Sequence, residues 1–303
     1  MTILDRPLLI HVAAASESRG RVVLAARSST PHPVAVDAAL TLARAFDAAV
    51  EGLLIACPNV VALTGHAFAR EVQHGGRIAP LMPSTVSDHQ EADTARARIT
   101  LSKAAAQAAV VFTSGVVRDG LVEALGKACA LQGPWNIMAL AEPLQPADAA
   151  VLPVLLDDVA GATALVCVGP QASAGKRAPI VVVVEETGRL PHMVRAAERL
   201  VLTEPDARAH TIALLLVGRS RDHTTEIEAH VRRLLPDGVS ESDVPVVIAD
   251  ASAPHGTTVE VAEAVRRLNG GWVIARGGGV AVPANADIAA LLGVLRCPLL
   301  LVR

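Results

Sequence analysis

The chain alternates short, continuously apolar runs with longer stretches of helical period. Residues 21–26 read RVVLAA and residues 180–185 read IVVVVE. Each run is followed by a short polar stretch and a Pro-His pair, Pro31-His32 and Pro191-His192, and then by an Ala-rich pattern of helical period. Pro suits the first turn of a helix, so both pairs read as helix-start grammar rather than as a paired histidine site. LLI at 53–55 answers LLL at 214–216. VEALGKACALQGPWNIMAL (122–140) answers VEVAEAVRRLNGGWVIARG (259–277), and TALVCVG (163–169) answers CPLLLVR (297–303). The chain has 2 Trp residues, and both, Trp135 and Trp272, fall at one position of this repeat.

Self-similarity of this kind predicts one α/β unit present twice. The offset between matching segments falls along the chain, which places an insert in the first copy, at 57–91. That stretch is rich in Pro, Gly, His and Ser, with little periodic apolar pattern; it predicts a mobile loop with a short helix around Val61–Val72. The domain plan is an N-terminal arm (1–20), a first unit (21–169), a polar linker (170–179) and a second unit (180–303). Strands alternating with helices predict βαβ units and a parallel sheet. Strands as apolar as VVVV at 181–184 predict helices on both sheet faces. The helix over 259–268 fits: Val261, Ala264, Val265 and Leu268 share one face, with Glu260, Glu263, Arg266 and Arg267 largely opposite. The final strands, 163–169 and 297–303, would be bare apolar edges in isolated units, so they are expected to pair with each other inside one chain. That pairing would make the monomer a pseudo-dimer and leave a further homodimer as an option.

Composition narrows the functions. Of 303 residues, 51% are hydrophobic but only 2% aromatic, so the cores are built from Ala, Val and Leu, and base stacking on aromatics is disfavoured. The formal net charge is −3 and no basic stripe exists, which argues against nucleic-acid binding. No apolar run reaches 18 residues, so no membrane partner is expected. Near the N-terminus, Leu8-Leu9-Ile10 and Ala13-Ala14-Ala15 faintly resemble a signal peptide, but His11 and Asp5 spoil the pattern. An extra strand or loose arm and a cytoplasmic protein are the expectation. Cys57, Cys129, Cys167 and Cys297 form no C-x-x-C motif and read as buried reduced thiols.

The strand, polar turn and Ala-rich helix at 21–46 and 180–202, the helix-to-strand segments at 121–140 and 259–276, and the closing Cys-Pro-Leu-Leu-Leu-Val at 297–302 together resemble the universal stress protein family in its tandem two-domain form. The resemblance implies two doubly wound five-stranded parallel sheets of the adenine-nucleotide-hydrolase-like type, strand order 3-2-1-4-5. In many members it also implies ATP binding, through an Asp after the first strand and a G-x2-G-x9-G-[S/T] loop after the fourth. Glycines there let backbone N–H groups close on phosphates.

Both copies depart from that pattern. In the first, Arg27 takes the Asp position, and Ala141-Glu142-Pro143 follows the fourth strand. Glu142 repels a triphosphate and Pro143 lacks an N–H. In the second, Glu186 keeps an acid and Gly277-Gly278-Gly279 opens the loop, but Val280 stands for the second glycine and Ala290-Leu291 for Gly-[S/T]; Gly293 is followed by Val294. The candidate nucleotide site is therefore Glu186, Gly277, Gly278 and Gly279, with the glycines equally readable as a tight strand exit. Arg276 beside them could reach a phosphate.

Other clusters are weaker. His66, His74, His89 and Cys57 match no common zinc spacing, so no metal is expected. Asp157-Asp158 and Glu185-Glu186 read as solvated charge, apart from Glu186. No G-x-S-x-G, H-E-x-x-H or G-x-x-x-x-G-K-[S/T] motif occurs, and Gly175-Lys176 sits in the linker without the rest of a P-loop. The expectation is a non-enzymatic regulatory protein that acts mainly through contacts with an unknown protein partner, with no cofactor. The alternatives are an ATP- or AMP-sensing protein using only the second unit, and a small hydrolase or transferase on the same fold.

Overall fold

Runs of Val, Ile, Leu and Ala with no charge inside them form strands only where both faces are covered. The computed structural model shows how this chain covers them. It describes residues 20–27, 29–56, 58–73, 75–131, 135–144, 151–173, 178–203, 212–234, 246–248, 254–283 and 288–303. The first half runs β1 (Arg21–Ala26), α1 (Pro33–Ala45), β2 (Ala49–Ile55), α2 (Pro58–Leu63), β3 (Arg70–Val72), β4 (Ile78–Pro80), α3 (Pro83–Gln107), β5 (Phe112–Val117), α4 (Leu121–Leu131), β6 (Asn136–Leu140), α5 (Val151–Asp158) and β7 (Ala162–Cys167). The second half runs β8 (Ile180–Val184), α6 (Leu190–Thr203), β9 (Ile212–Gly218), α7 (Arg221–Leu234), β10 (Val246–Ile248), α8 (Pro254–Arg267), β11 (Trp272–Arg276), α9 (Ile288–Val294) and β12 (Leu299–Val302).

One sheet of 10 strands passes through both halves, in the order β10-β9-β8-β11-β12-β7-β6-β1-β2-β5. The expectation of two separate sheets is thereby corrected. Neighbours pair in parallel except at the middle, where β12 and β7 pair antiparallel: Leu299 faces Cys167, Leu300 faces Val166, Leu301 faces Leu165 and Val302 faces Ala164. Backbone pairing at this seam fuses the sheet, because two bare apolar edges are costly to leave in water. Counted along each half, the order is third, second, first, fourth, fifth on either side of the seam.

The core follows the sheet rather than the halves. Val23, Leu125, Leu165, Val183, Leu292 and Leu301 belong to one buried cluster. Leu24, Leu42, Val166, Val182, Leu200 and Leu300 belong to the other, on the opposite face. Each cluster crosses the seam. α1 packs on α6 across it. Phe46, just after α1, makes an edge-on contact with Trp135 at 5.8 Å between ring centres. The guanidinium of Arg199 from α6 lies 5.2 Å from the centre of the Phe46 ring, a contact worth about 0.5–1 kcal/mol at an exposed site. On the other side of the seam, Arg303 donates from Nη1 to the carbonyls of Val159 (2.9 Å) and Ala162 (3.2 Å). Its Nη2 donates to the Asp157 carbonyl, so a cation sits at the carboxyl end of α5, where the helix dipole favours it.

The insert is more ordered in outline than its composition suggests. The short helix lies at Pro58–Leu63, not at 61–72, and Arg70–Val72 is instead a strand, paired antiparallel with Ile78–Pro80. Gly75 and Gly76, at φ 94° and 80°, supply the left-handed backbone of the connecting turn. Residues 83–91 are the first turns of the 25-residue α3, started by Pro83. The two Pro-His pairs sit differently: Pro33 opens α1 behind His32, whereas Pro191 and His192 lie inside the first turn of α6. The arm (1–19), Cys57, His74 and residues 174–177 of the linker lie outside the described residues. No helix among the described residues is long and apolar enough to cross a membrane.

Leu301 is fully buried opposite Leu165 at the seam. Leu301→Ala is expected to cost about 2–5 kcal/mol, the range for a core leucine truncation. A urea denaturation midpoint compared with wild type checks it; a loss below about 1 kcal/mol would show that the seam packs loosely.

Candidate functional site

In open α/β sheets, ligands bind outside the carboxyl ends of the strands, where the strand order reverses. In the second half that point lies between β8 and β11. A cleft of about 330 Å³ opens there, lined by Glu185, Glu186, Arg219, His223, Arg276, Gly278, Gly279 and Val280. Each residue is placed by the local chain. Glu185 and Glu186 follow β8, Arg219 follows β9 and Arg276 ends β11. His223 sits in the first turn of α7, where its Nδ1 accepts the Arg219 backbone N–H at 3.2 Å.

The candidate residues are brought together, but not in the arrangement the family pattern implies. Glu186 is partly exposed and pairs with Arg276 Nη1 at 3.0 Å and with Arg189 Nε at 3.3 Å. The acid that reaches the glycine loop is Glu185. Its side chain is buried, and its two carboxylate oxygens accept the backbone N–H groups of Val280 and Ala281, each at 2.7 Å. Burial pushes its pKa up, against the two N–H bonds and nearby Arg276, which pull it down. Strand parity carries a signal for this residue. Val181 and Val183 point into one core cluster and Val182 and Val184 into the other, so the next position continues onto the face of 181 and 183.

The three glycines have three separate reasons. Gly278 adopts φ 73°, which only glycine takes freely. At Gly279 a Cβ would lie 2.1 Å from a carboxylate oxygen of Glu185, so the acid could not close on the loop. At Gly277 a Cβ would press Leu156 of α5, 3.2 Å away. The loop is thus shaped around an internal carboxylate. Two N–H groups of that loop, those of Val280 and Ala281, are taken by Glu185. The residues present therefore do not fit a bound triphosphate in the way the family pattern implies.

The first half closes the same gap from the other direction. Glu142, on the loop after β6, accepts the backbone N–H of Arg27 at 2.9 Å, with Arg27 Nε 3.9 Å from its second oxygen. A second cleft of about 330 Å³ lies beside Arg27. Ala26, Leu54 and Ile55 of the sheet line it together with Leu81, Val86, His89, Asp93 and Thr94 from the insert and α3. No group of three or more metal-ligating side chains occurs among the described residues, so His66 and His89 do not converge on a site. Burial pushes the thiols of Cys129 up to about 11 and of Cys167 and Cys297 up to about 12, so none is a ready nucleophile near neutral pH.

No family model matches the chain, and no curated protein matches it. Solved structures do. A universal stress protein from Archaeoglobus fulgidus DSM 4304 aligns with a TM-score of 0.56 at 10% identity, over 93% of this chain and 96% of that one. A putative universal stress protein from Pseudomonas aeruginosa UCBPP-PA14 aligns with a TM-score of 0.55 at 12% identity, over 94% and 93%. The fold resembles that of the universal stress proteins. The cytoplasmic domain of a prokaryotic cation chloride cotransporter also aligns, with a TM-score of 0.50 at 8% identity, over 93% and 95%. At these identities the likeness is one of fold, and a universal-stress-protein-like fold leaves function to the site.

A carboxyl whose pKa is raised by folding adds stability that is complete below its unfolded value and is lost as pH rises through the folded value. Wild type should therefore lose stability relative to Glu185→Gln as pH is raised from about 4.5 to about 8. Urea midpoints of both proteins across that range check this. A gap that widens in favour of wild type would mean that the two N–H bonds outweigh burial.

Proposed function

We propose that the chain is a universal-stress-protein-like regulatory protein, built of two fused units of one fold, that acts mainly through protein contacts and has largely lost nucleotide binding. The observation that carries this reading is the Glu185 carboxylate on the N–H groups of Val280 and Ala281. A triphosphate would have to evict that carboxylate and then lie beside it. Stranding a buried hydrogen-bonded charge costs several kcal/mol. Glu142 on the Arg27 N–H supports the same reading in the first half. The seam between β7 and β12 supports the reading of the monomer as a pseudo-dimer.

The protein-contact part rests on the insert. Phe68 is 92% exposed, Val72 74% and Ile78 67%, with Leu63 and Met82 also exposed nearby in sequence. Apolar side chains gathered on one surface segment are a feature of protein-binding faces. On this reading the protein is cytoplasmic and works without catalysis.

A second reading, an ATP- or AMP-sensing protein using the second half alone, has one observation in its favour. Arg219, His223 and Arg276 converge on an open cleft. Calorimetric titration with Mg-ATP and with AMP separates the two readings. The expected outcome is no saturable heat up to millimolar nucleotide. A Kd below about 100 μM, lost in Arg219→Ala, would establish the second reading instead.

A further inference from the structure

The sheet ends on the first-half side at β5, which pairs only with β2 among the described strands. The Val50 N–H bonds the Val111 carbonyl, and the Ala56 N–H bonds the Val117 carbonyl. Main-chain groups alternate sides along a strand, so the odd positions of β5 turn theirs to β2. Phe112, Ser114 and Val116 turn theirs outward, to the free edge. Edge strands are normally blunted by a charge, a proline, a bulge or extreme shortness. β5 uses none of these. Its six residues pair with β2 without a break, and residues 108–117 (AAVVFTSGVV) hold no charge and no proline. Val111 is 67% exposed and Val116 45%.

We propose that this edge binds the same edge of a second copy of the chain, antiparallel, about a two-fold axis at Ser114. An antiparallel two-fold brings one residue opposite itself, and an axis at the central outward-turned residue lets all three of them exchange main-chain hydrogen bonds with the same three of the partner. Ser114 is the central one of the three. Phe112 then faces the partner's Val116, and Ser114 faces the partner's Ser114, on the face where Phe112 packs with the buried cluster under α3. On the other face Val111 meets the partner's Val117, and Thr113 meets the partner's Gly115. Every pair is apolar or small and uncharged, and the exposed Val111 and Val116 become covered. Arg118 falls opposite the partner's Val110, so no like charges are opposed. The chain already extends its sheet this way once, at the antiparallel seam of β7 and β12. A second copy is preferred over a foreign strand because this edge is complementary to itself.

The test is thiol trapping in the full chain. In a hydrogen-bonded antiparallel pair the Cα atoms are about 5.5 Å apart, within disulfide range. Ser114→Cys should form a disulfide-linked dimer under mild oxidant. Thr113→Cys should not, because the two copies of residue 113 are displaced by two residues along the strands, roughly 8 Å apart. Wild type is the blank, its described cysteines Cys129, Cys167 and Cys297 being buried. By sedimentation, wild type should run at twice the chain mass, and Val116→Lys should weaken dimerisation at least tenfold with an unchanged circular-dichroism melt. Should Val116→Lys fail to fold, the trapping result stands alone. A wild type that is monomeric at 100 μM overturns the proposal, as does trapping at 113 equal to that at 114. A dimer that Val116→Lys leaves intact assigns dimerisation to another surface and also overturns it.

Discussion

The antiparallel pairing of β7 with β12 is the constraint on which the rest of the molecule depends. Leu165, Val166, Leu299, Leu300 and Leu301 are all nearly or fully buried there. A leucine side chain moved from water to such a place contributes about 1.5–3 kcal/mol. Without the pairing, each half would carry an apolar strand with an open hydrogen-bonding side. The pairing also fixes direction. Every strand that one half gives to the ten-stranded sheet runs opposite to every strand that the other gives it, so the carboxyl ends of the two halves lie at opposite edges of the sheet. The two clefts therefore cannot share one small ligand. The carboxyl edge of the second half is the amino edge of the first, and this explains two contacts across the seam. Leu156, from the carboxyl end of α5, packs against Gly277 at the mouth of the second-half cleft. Arg303 reaches the carbonyls at that same end of α5. The first half thus packs against the start of the second half's glycine loop.

The strand-and-helix grammar is legible because strands covered on both faces leave an unmistakable trace: IVVVV and VVLAA carry no charge. The seam is legible for the same reason, since ALVC and LLLV are apolar at every position. What composition could not convey is that sealing the seam removes the boundary between the sheets, as core clusters on both faces then run through it. The insert's helix bounds and hairpin are not legible because Pro, Gly and Ser start helices and turn hairpins as readily as they fill loops. Pro58 and Pro83 open helices, and Gly75 and Gly76 turn β3 into β4. Glu185 and Glu186 look alike in sequence; strand parity separates them only by face, Glu185 falling on the side of Val181 and Val183 and Glu186 on that of Val182 and Val184.

The halves have solved one problem in two reciprocal ways. Each must close the gap between the end of its first strand and the loop after its fourth, where main-chain N–H groups would otherwise lack partners. An unpaired buried N–H costs about 1–3 kcal/mol. In the first half the carboxylate comes from the loop, as Glu142, and the donor from the strand end, as Arg27. In the second the carboxylate comes from the strand end, as Glu185, and the donors from the loop, as Val280 and Ala281. Partial exposure lets Glu142 keep water at hand, whereas Glu185 has little recourse besides those two N–H groups. The second-half loop is anchored by the buried Glu185, with Thr258 Oγ1 on the Ala281 carbonyl and the Gly277 N–H on the Val302 carbonyl beside it.

The opposite, amino edge of the first half makes the asymmetry between halves sharper. At the first rung of β1 and β6, Arg21 faces Asn136. Arg21 bonds Asn136 Oδ1 at 3.2 Å, pairs with Glu51 and donates to the Ala128 carbonyl at 2.6 Å. Asn136, fully buried, donates from Nδ2 to the carbonyls of Cys129 and Gly161, each at 3.1 Å. At the first rung of β8 and β11 in the second half stand Ile180 and Trp272, both apolar. Arg21 and Glu51 are only partly buried, so the ion pair itself adds little, whereas the fully buried Asn136 would be left unsatisfied if its partners were removed. The first half is therefore pinned at its amino edge by a polar network and roofed at its carboxyl edge by the insert and α3. The second half has an apolar amino edge and a cleft whose cations, Arg219 and Arg276, stand beside acids. The exposed apolar insert belongs to the half with the polar network, and the carboxylate-filled loop to the other. Burial favours the protonated form of Glu185 in the fold, so it is a rise in pH, not a fall, that costs this half stability.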